Sequence, residues 1–86
     1  MTLDDIMKSE TLSDAGKRME IELIDGHGGK YTVAETGDED WSTNGRRFRS
    51  LRTARAYATL RAGLEVIGPD ASVYDPEWIA VQEVSR

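Results

Sequence analysis

The side chains best suited to acid–base or metal chemistry are His27 and the carboxylates near it. His27 is the only histidine in the 86 residues, and Asp25 is the one acid close to it, in the glycine-rich stretch 25–29. A metal site needs three or four ligands in a fixed geometry, and a catalytic base needs a polar partner that orients it. The chain also has no cysteine. We therefore interpret His27 as an exposed turn residue and expect no enzymatic activity, no bound metal and no cofactor.

A second group of carboxylates is the run Asp38, Glu39 and Asp40. Calcium prefers several carboxylate oxygens, but the run lacks the D-x-[DN]-x-[DN]-G spacing and the later glutamate of a calcium-binding loop. The preceding Thr36 and Gly37 are typical of an irregular connection. We predict a solvated acidic loop here.

Positive charge is concentrated in residues 41–64, which contain no acid. We call the six arginines of this segment the arginine island: Arg46, Arg47, Arg49, Arg52, Arg55 and Arg61. The net charge is −7 over residues 1–40, +6 over 41–64 and −4 over 65–86, and it is −5 for the whole chain.

The arginine island has three possible uses. Clustered arginines bind nucleic-acid phosphates, and Trp41 and Tyr57 would be available to stack on bases. Contact with a partner protein is a second use. We favour a third, in which the arginines are solvated or form ion pairs within the molecule. The expected pairs join Arg47 and Arg49 to Glu20, Glu22 or Glu35.

The excess of acid outside the island indicates what kind of partner the chain meets. A field of this sign repels nucleic acid at long range and attracts a basic protein surface. Our leading hypothesis is a small, non-enzymatic protein-binding module whose partner has a basic surface, such as a nucleic-acid-binding complex. The acids expected to make this contact are Glu20, Glu22, Asp38, Glu39 and Asp40.

Two alternatives stay open. One is a nucleic-acid-binding module that uses Arg46, Arg47, Arg49, Arg52 and Arg55. The other is a structural protein that associates with itself, so that the island of one copy meets the acids of another. We expect no membrane association, because no stretch approaches the length of an apolar span, and a cytoplasmic location.

The apolar pattern predicts the elements that would position these charges. Met19, Ile21 and Leu23 alternate with two glutamates, which is typical of a half-buried strand. Residues 31–36 alternate again after the glycine-rich stretch, so the two segments are predicted to form a β-hairpin. Asn44-Gly45 favours a type I′ turn that would pair residues 41–43 with 46–49 and place Phe48 in the core.

A helix is predicted from Leu51 to Ile67, with Ser50 as its N-cap and Gly68-Pro69 after its end. Seven of its residues fall on one apolar stripe: Thr53, Ala56, Tyr57, Leu60, Gly63, Leu64 and Ile67. Three alanines lie opposite the stripe: Ala54, Ala58 and Ala62. They either serve only as good helix formers, the interpretation we favour, or offer a smooth surface to another element.

The two ends of the chain are predicted differently. Residues 1–17 form an N-terminal arm, flexible or with a short helix: a capping box of Thr2 and Asp5 could start a single helical turn, and Gly16 would stop any helix begun at Thr11. Residues 77–85 carry apolar side chains on both faces and are predicted to be a covered strand. Residues 18–86 would then make a single domain.

The predicted fold class is α+β, with a small antiparallel sheet of 3–5 strands packed by one main helix, in β-β-β-α-β order. This order is similar to that of many one-helix sheet domains, including double-stranded-RNA-binding-like folds, but no motif of a named family is present. In size and charge the chain resembles small phage-encoded inhibitors of bacterial defence complexes. That resemblance implies an inhibitor that is either anti-CRISPR-like or a mimic of nucleic acid.

Overall fold

A four-stranded antiparallel sheet with helices packed on it forms the body of the protein, and the predicted α+β class is confirmed. The computed structural model describes residues 1–79. The helices of this part are α1 (Leu3–Lys8), α2 (Asp14–Asp25), α3 (Trp41–Asn44) and α4 (Leu51–Thr59). The strands are β1 (Tyr31–Glu35), β2 (Arg46–Phe48), β3 (Leu64–Ile67) and β4 (Val73–Tyr74).

The strands lie in the order β2-β1-β3-β4, so β1 and β3 are central. Tyr31 is opposite Phe48 and Val33 is opposite Val66, and residues in register share one face of a sheet. Phe48, Val33 and Val66 belong to the main core, as predicted for Phe48. Thr32 lies on the other face and is also buried, so both faces of the central strands are covered.

Helix α4 is the main helix against the sheet, and it begins where the sequence predicts. The Ser50 side chain accepts a hydrogen bond from the backbone N–H of Arg52 at 3.2 Å. The helix contacts β1, β2 and β3, and it also contacts α2. Because neighbours lie against more than one side of α4, Ala54 and Ala58 are buried as well as Ala56. The burial of Ala54 and Ala58 fits the alternative in which the alanines offer a surface to another element, and the favoured interpretation, that they serve only as helix formers, was wrong for these two.

The predicted helix 51–67 is too long. Helix α4 ends at Thr59, Gly63 adopts a φ of 85°, and Leu64 starts strand β3. A positive φ breaks the helix and is accessible to glycine at little cost. Four residues, from Leu64 onward, then pair with β1, which removes the last turns from the helix and places Leu64 and Ile67 in the sheet.

The strand predicted at residues 19–23, and the hairpin built on it, were wrong. This segment belongs to α2, whose N-cap Ser13 accepts a hydrogen bond from the N–H of Gly16 at 3.0 Å. Gly16 therefore lies inside a helix and does not stop one. On a helix, residues two positions apart are roughly 200° apart, so Ile21 faces the core while Met19 and Leu23 face away.

The type I′ turn predicted at Asn44-Gly45 was also wrong. Residues of Trp41–Asn44 form the short helix α3, and the strand partner of β2 is β1. A side chain at Gly45 would collide with the Thr32 methyl group and with the Trp41 carbonyl oxygen. Gly45 thus lets α3 end directly against the sheet, where no room remains for a hairpin.

The N-terminal residues are packed onto the body. Thr2 and Asp5 form the predicted capping box, and Leu3 and Ile6 are buried in the main core. Residues 17 and 18 lie within α2. At the other end, residues 77–79 are described without regular structure, and the remainder of the strand predicted at 77–85 lies outside the described residues.

Candidate functional site

The five acids predicted to bind a partner differ in whether their carboxylates are already bonded within the molecule. Glu22 accepts a hydrogen bond from the Tyr57 hydroxyl at 2.7 Å and lies 3.6 Å from Nε of Arg46. Asp38 accepts a hydrogen bond from the backbone N–H of Asp40 at 2.8 Å. The other three carboxylates have no hydrogen bond or ion pair within residues 1–79: Glu20, Glu39 and Asp40. Free acidic surface therefore comes from α2 and from the loop before α3.

The Tyr57 hydroxyl is held in its protonated form. Burial raises the pKa of Tyr57, the hydrogen bond to Glu22 and its negative charge raise it further, and Arg46 acts in the opposite direction. A protonated phenol donates a hydrogen bond, so this contact joins α4 to α2. The sequence had placed Tyr57 in the core or, in one alternative, against a nucleic-acid base.

Four arginines of the island form ion pairs with acids on other elements. The pairs are Arg46–Glu22 at 3.6 Å, Arg49–Asp25 at 3.2 Å, Arg52–Asp4 at 2.9 Å and Arg61–Glu35 at 2.7 Å. Three of these acids lie on α1 or α2, so the island connects the acidic N-terminal helices to the sheet and α4. The sequence predicted internal pairing and named Glu22 and Glu35 among the acids, but it assigned them to Arg47 and Arg49. Arg47 instead donates to the Gly29 carbonyl oxygen at 3.0 Å.

Asp25, first considered as a partner for His27, has a different role. The residue is 5% exposed, and its carboxylate accepts hydrogen bonds from the backbone N–H groups of Arg49 and Ser50, both at 3.1 Å, and from the Thr53 hydroxyl. Burial by itself raises the pKa of Asp25, but these hydrogen bonds outweigh it and hold the pKa below its usual value. Asp25 thus fixes the start of α4, while His27 is exposed.

The outward side of α2 carries large apolar side chains. Met19 is 65% exposed, Leu23 is 66% exposed and Ile24 is partly exposed. Met19 and Leu23 are one helical turn apart, with Glu20 on one flank and Glu22 on the other. We call these residues the α2 outer face. The sequence pattern did not reveal this face, because the predicted strand would bury Met19 and Leu23 together with Ile21; the signal for a helix was Ser13, which is a suitable N-cap.

A cleft of about 740 Å³ opens where α2, α4 and the sheet meet. Arg18, Arg46 and Arg61 line it, with Tyr57, Val33 and Leu64. We call it the arginine cleft. Glu35 and Asp38 are the two acids in its lining. The sequence placed two of these arginines in one island but gave no sign that Arg18 joins them.

Three other arginines of the island, Arg47, Arg52 and Arg55, lie at two smaller clefts. The first, of about 320 Å³, lies between Arg52, Arg55 and Trp78, and the Arg52 guanidinium is 4.8 Å from the centre of the Trp78 ring. The second, of about 280 Å³, includes Trp41 and Arg47. The structure therefore divides the basic residues proposed for nucleic acid among separate surfaces.

Neither a metal site among the described residues nor a known relative points to a function for this chain. In the described part of the chain, no three histidine or acidic side chains come together in a way that would hold a metal ion. No helix among these residues has the length and apolar character needed to cross a membrane. Comparison with protein-family models, curated proteins and solved structures found no match.

Proposed function

We propose that the chain is a non-enzymatic binding protein and that the α2 outer face is its principal contact surface. The observation that carries the proposal is the exposure of Met19 and Leu23, about two-thirds each, on a helix flanked by acids. The proposed partner is a protein with an apolar groove that has lysine or arginine side chains along its rim.

Burial of the exposed side chains would supply affinity. Burying a leucine or methionine side chain contributes about 1.5–3 kcal/mol. Apolar residues one turn apart on a helix are the usual anchors for a helix bound in a groove. Gly16 lies one turn before Met19 and leaves room for close approach on the same side.

The unbonded acids would orient a basic partner and increase the rate at which it associates. Glu20 lies beside the apolar residues, and the exposed Glu39 and Asp40 add to the negative field of a chain whose net charge is −5. Such a field steers a basic partner and weakens as salt screens it. Of the five acids predicted from the sequence, Glu20, Glu39 and Asp40 remain part of the proposed contact. Glu22 and Asp38 are left out because their carboxylates are already bonded within the molecule.

A photo-crosslinking experiment tests the proposal. A benzophenone amino acid replaces Leu23 in one variant and Val73, which is 60% exposed, in a matched control. In extract of the source cell, we expect position 23 to crosslink a distinct protein and position 73 not to. Glu20→Lys should reduce the yield at position 23, as should raising the salt from about 50 mM to about 500 mM.

Two results would reject the proposal. Equal crosslinking at positions 23 and 73 would show that the α2 outer face is not selective. Crosslinking of position 23 only to a second copy of the chain would mean self-association in place of a separate partner. A gel shift with nucleic acid at low salt that Arg47→Glu abolishes would favour the alternative based on the basic residues.

A further inference from the structure

Three arginines from three separate elements converge on the arginine cleft. Arg18 comes from the middle of α2, Arg46 opens β2 and Arg61 follows α4. Like charges repel, so gathering three guanidinium groups around one space has an electrostatic cost. The ion pairs of Arg46 with Glu22 and of Arg61 with Glu35 offset part of that cost, and an anion in the space would offset more of it. The cleft is separate from the α2 outer face, so this inference goes beyond the binding function proposed above.

Most N–H groups of these arginines have no acceptor among the described residues. A guanidinium has five N–H donors. Arg18 uses one, to the Leu60 carbonyl oxygen at 2.8 Å, and Arg61 uses one, to Glu35 at 2.7 Å. Arg46 is 3.6 Å from Glu22, which exceeds the usual N–H···O distance. The cleft therefore holds a large surplus of donors.

The two acids of the lining do not remove this surplus. Asp38 accepts the backbone N–H of Asp40, and Glu35 is paired with Arg61. Three arginines against two acids leave the lining at a net +1, and Glu22, which is paired with Arg46 from outside the lining, brings the local sum to zero, in a protein whose total is −5. Val33 and Leu64 also border the cleft but are buried in the core, whereas Tyr57 is half-buried. A ligand that fits has an anionic group.

We propose that the arginine cleft binds a small phosphate monoester, with the phosphate held by Arg18, Arg46 and Arg61. A terminal phosphate has three strong acceptor oxygens, and guanidinium groups bind it through paired hydrogen bonds. A carboxylate has only two oxygens and fits three guanidinium groups less well. A volume of about 740 Å³ accommodates a molecule of nucleotide size.

NMR titration of the full chain at low salt tests the assignment, with adenosine monophosphate as the probe. The readouts are the backbone amides and the arginine Nε–H groups. We expect saturable shifts of Arg18, Arg46 and Arg61 with adenosine monophosphate and smaller ones with acetate. Adenosine, which lacks the phosphate, should give none.

The neighbouring arginines of β2 provide a matched pair of variants. Arg46→Gln should weaken binding of adenosine monophosphate about 10-fold or more, which corresponds to about 1.4 kcal/mol. Arg47→Gln removes the same charge from the other face of the strand and should leave the affinity within about twofold. If the amide spectrum shows that Arg46→Gln is not folded, Arg61→Gln is used in its place.

Three results would overturn the proposal. Equal loss in Arg46→Gln and Arg47→Gln would mean attraction by overall charge. Non-saturating shifts spread over every arginine would have the same meaning. Stronger binding of acetate than of adenosine monophosphate would reject the phosphate assignment. None of these results depends on the α2 outer face, so failure here leaves the proposed protein contact standing.

Discussion

At the scale of single residues, Asp25 connects the two longest helices of the described chain. It is the last residue of α2, and its carboxylate accepts the backbone N–H groups that precede α4. A carboxylate at the C-terminal end of its own helix is disfavoured by the helix dipole. Three donors from the start of α4 compensate for this, and Arg49 adds an ion pair at 3.2 Å.

We predict that Asp25→Asn lowers the free energy of unfolding by about 1–3 kcal/mol. The amide keeps the shape of the side chain but offers one acceptor oxygen in place of two and points N–H donors at other donors. Urea unfolding followed by circular dichroism measures the loss. Asp14→Asn, at the exposed start of the same helix, is the control and should change stability much less. Equal losses would contradict the role given to Asp25.

The lowered pKa of Asp25 makes part of the stability dependent on pH. A carboxyl group with a lower pKa in the folded state stabilises the protein above its unfolded pKa of about 3.9. This contribution is lost as the pH falls through the folded value. Hydrogen bonds from Thr2 and Ser72 also lower the pKa of Asp5 and Asp70, so several groups act in the same direction.

We therefore expect stability to fall steeply in acid for the wild-type chain and less steeply for Asp25→Asn. Urea unfolding at a series of pH values from about 2 to about 7 gives both curves. The difference between the two curves should shrink as the pH drops below about 4 and the Asp25 carboxyl becomes protonated. A difference that stays constant over this range would assign the effect of the variant to shape alone.

At the scale of elements, the assignment of α2 has the largest consequences. A strand at residues 19–23 would bury Met19 and Leu23 together with Ile21, whereas the helix buries Ile21 alone. The apolar contact surface proposed for a partner exists only because this segment is helical. Gly16 provides a direct test, since it was predicted to stop a helix and instead lies in the first turn of α2.

We predict that Gly16→Ala stabilises the protein by up to about 1 kcal/mol, the difference in helix propensity between the two residues. An added methyl group would meet Ser13 Oγ at 3.4 Å and Leu12 Cδ2 at 3.5 Å, which are ordinary contacts. Thermal or urea unfolding measures the change.

Gly45→Ala is the control of opposite sign. A methyl group there would collide with the backbone of α3 and with Thr32, so this variant should be destabilised. A loss of stability in Gly16→Ala would argue against helix α2, and a neutral Gly45→Ala would argue against the close contact of α3 with the sheet.

At the scale of the whole molecule, the acidic N-terminal segment and the basic middle of the chain are held together by both packing and charge. Helix α1 places Leu3 and Ile6 in the main core, and α2 contacts α4. The ion pairs of Arg46, Arg49 and Arg52 reach acids on these two helices. Exposed pairs contribute less than about 1 kcal/mol each, so apolar burial is the larger part of this attachment.

We predict that Ile6→Ala costs about 2–5 kcal/mol, the range for a large side chain removed from a core. Small domains have stabilities at the low end of about 5–15 kcal/mol, so the loss should be evident as a large drop in the melting temperature. Leu23→Ala, on the exposed α2 outer face, should change stability by no more than about 0.5 kcal/mol. A small effect of Ile6→Ala would indicate an arm that is not docked.

The sequence by itself determined the features that depend on neighbours along the chain. Thr2 and Ser50 were identified as N-caps because a capping hydrogen bond spans only two or three residues. The α+β class and the buried position of Phe48 followed from the apolar pattern. The acidic loop before α3 followed from its composition.

Only the tertiary structure decided where distant charges meet and which elements short patterns form. Residues 19–23 suit a strand or a helix locally, and the packing of Ile21 and the bonds of Asp25 to the start of α4 select the helix. Leu64 leaves the helical pattern because β1 offers it a strand partner. Arg18 and Arg61 share a cleft, and Arg18 donates a hydrogen bond to the carbonyl oxygen of Leu60, which is 42 positions later in the chain. Such contacts arise from the packing of whole elements, and a local pattern carries no information about which element will be adjacent.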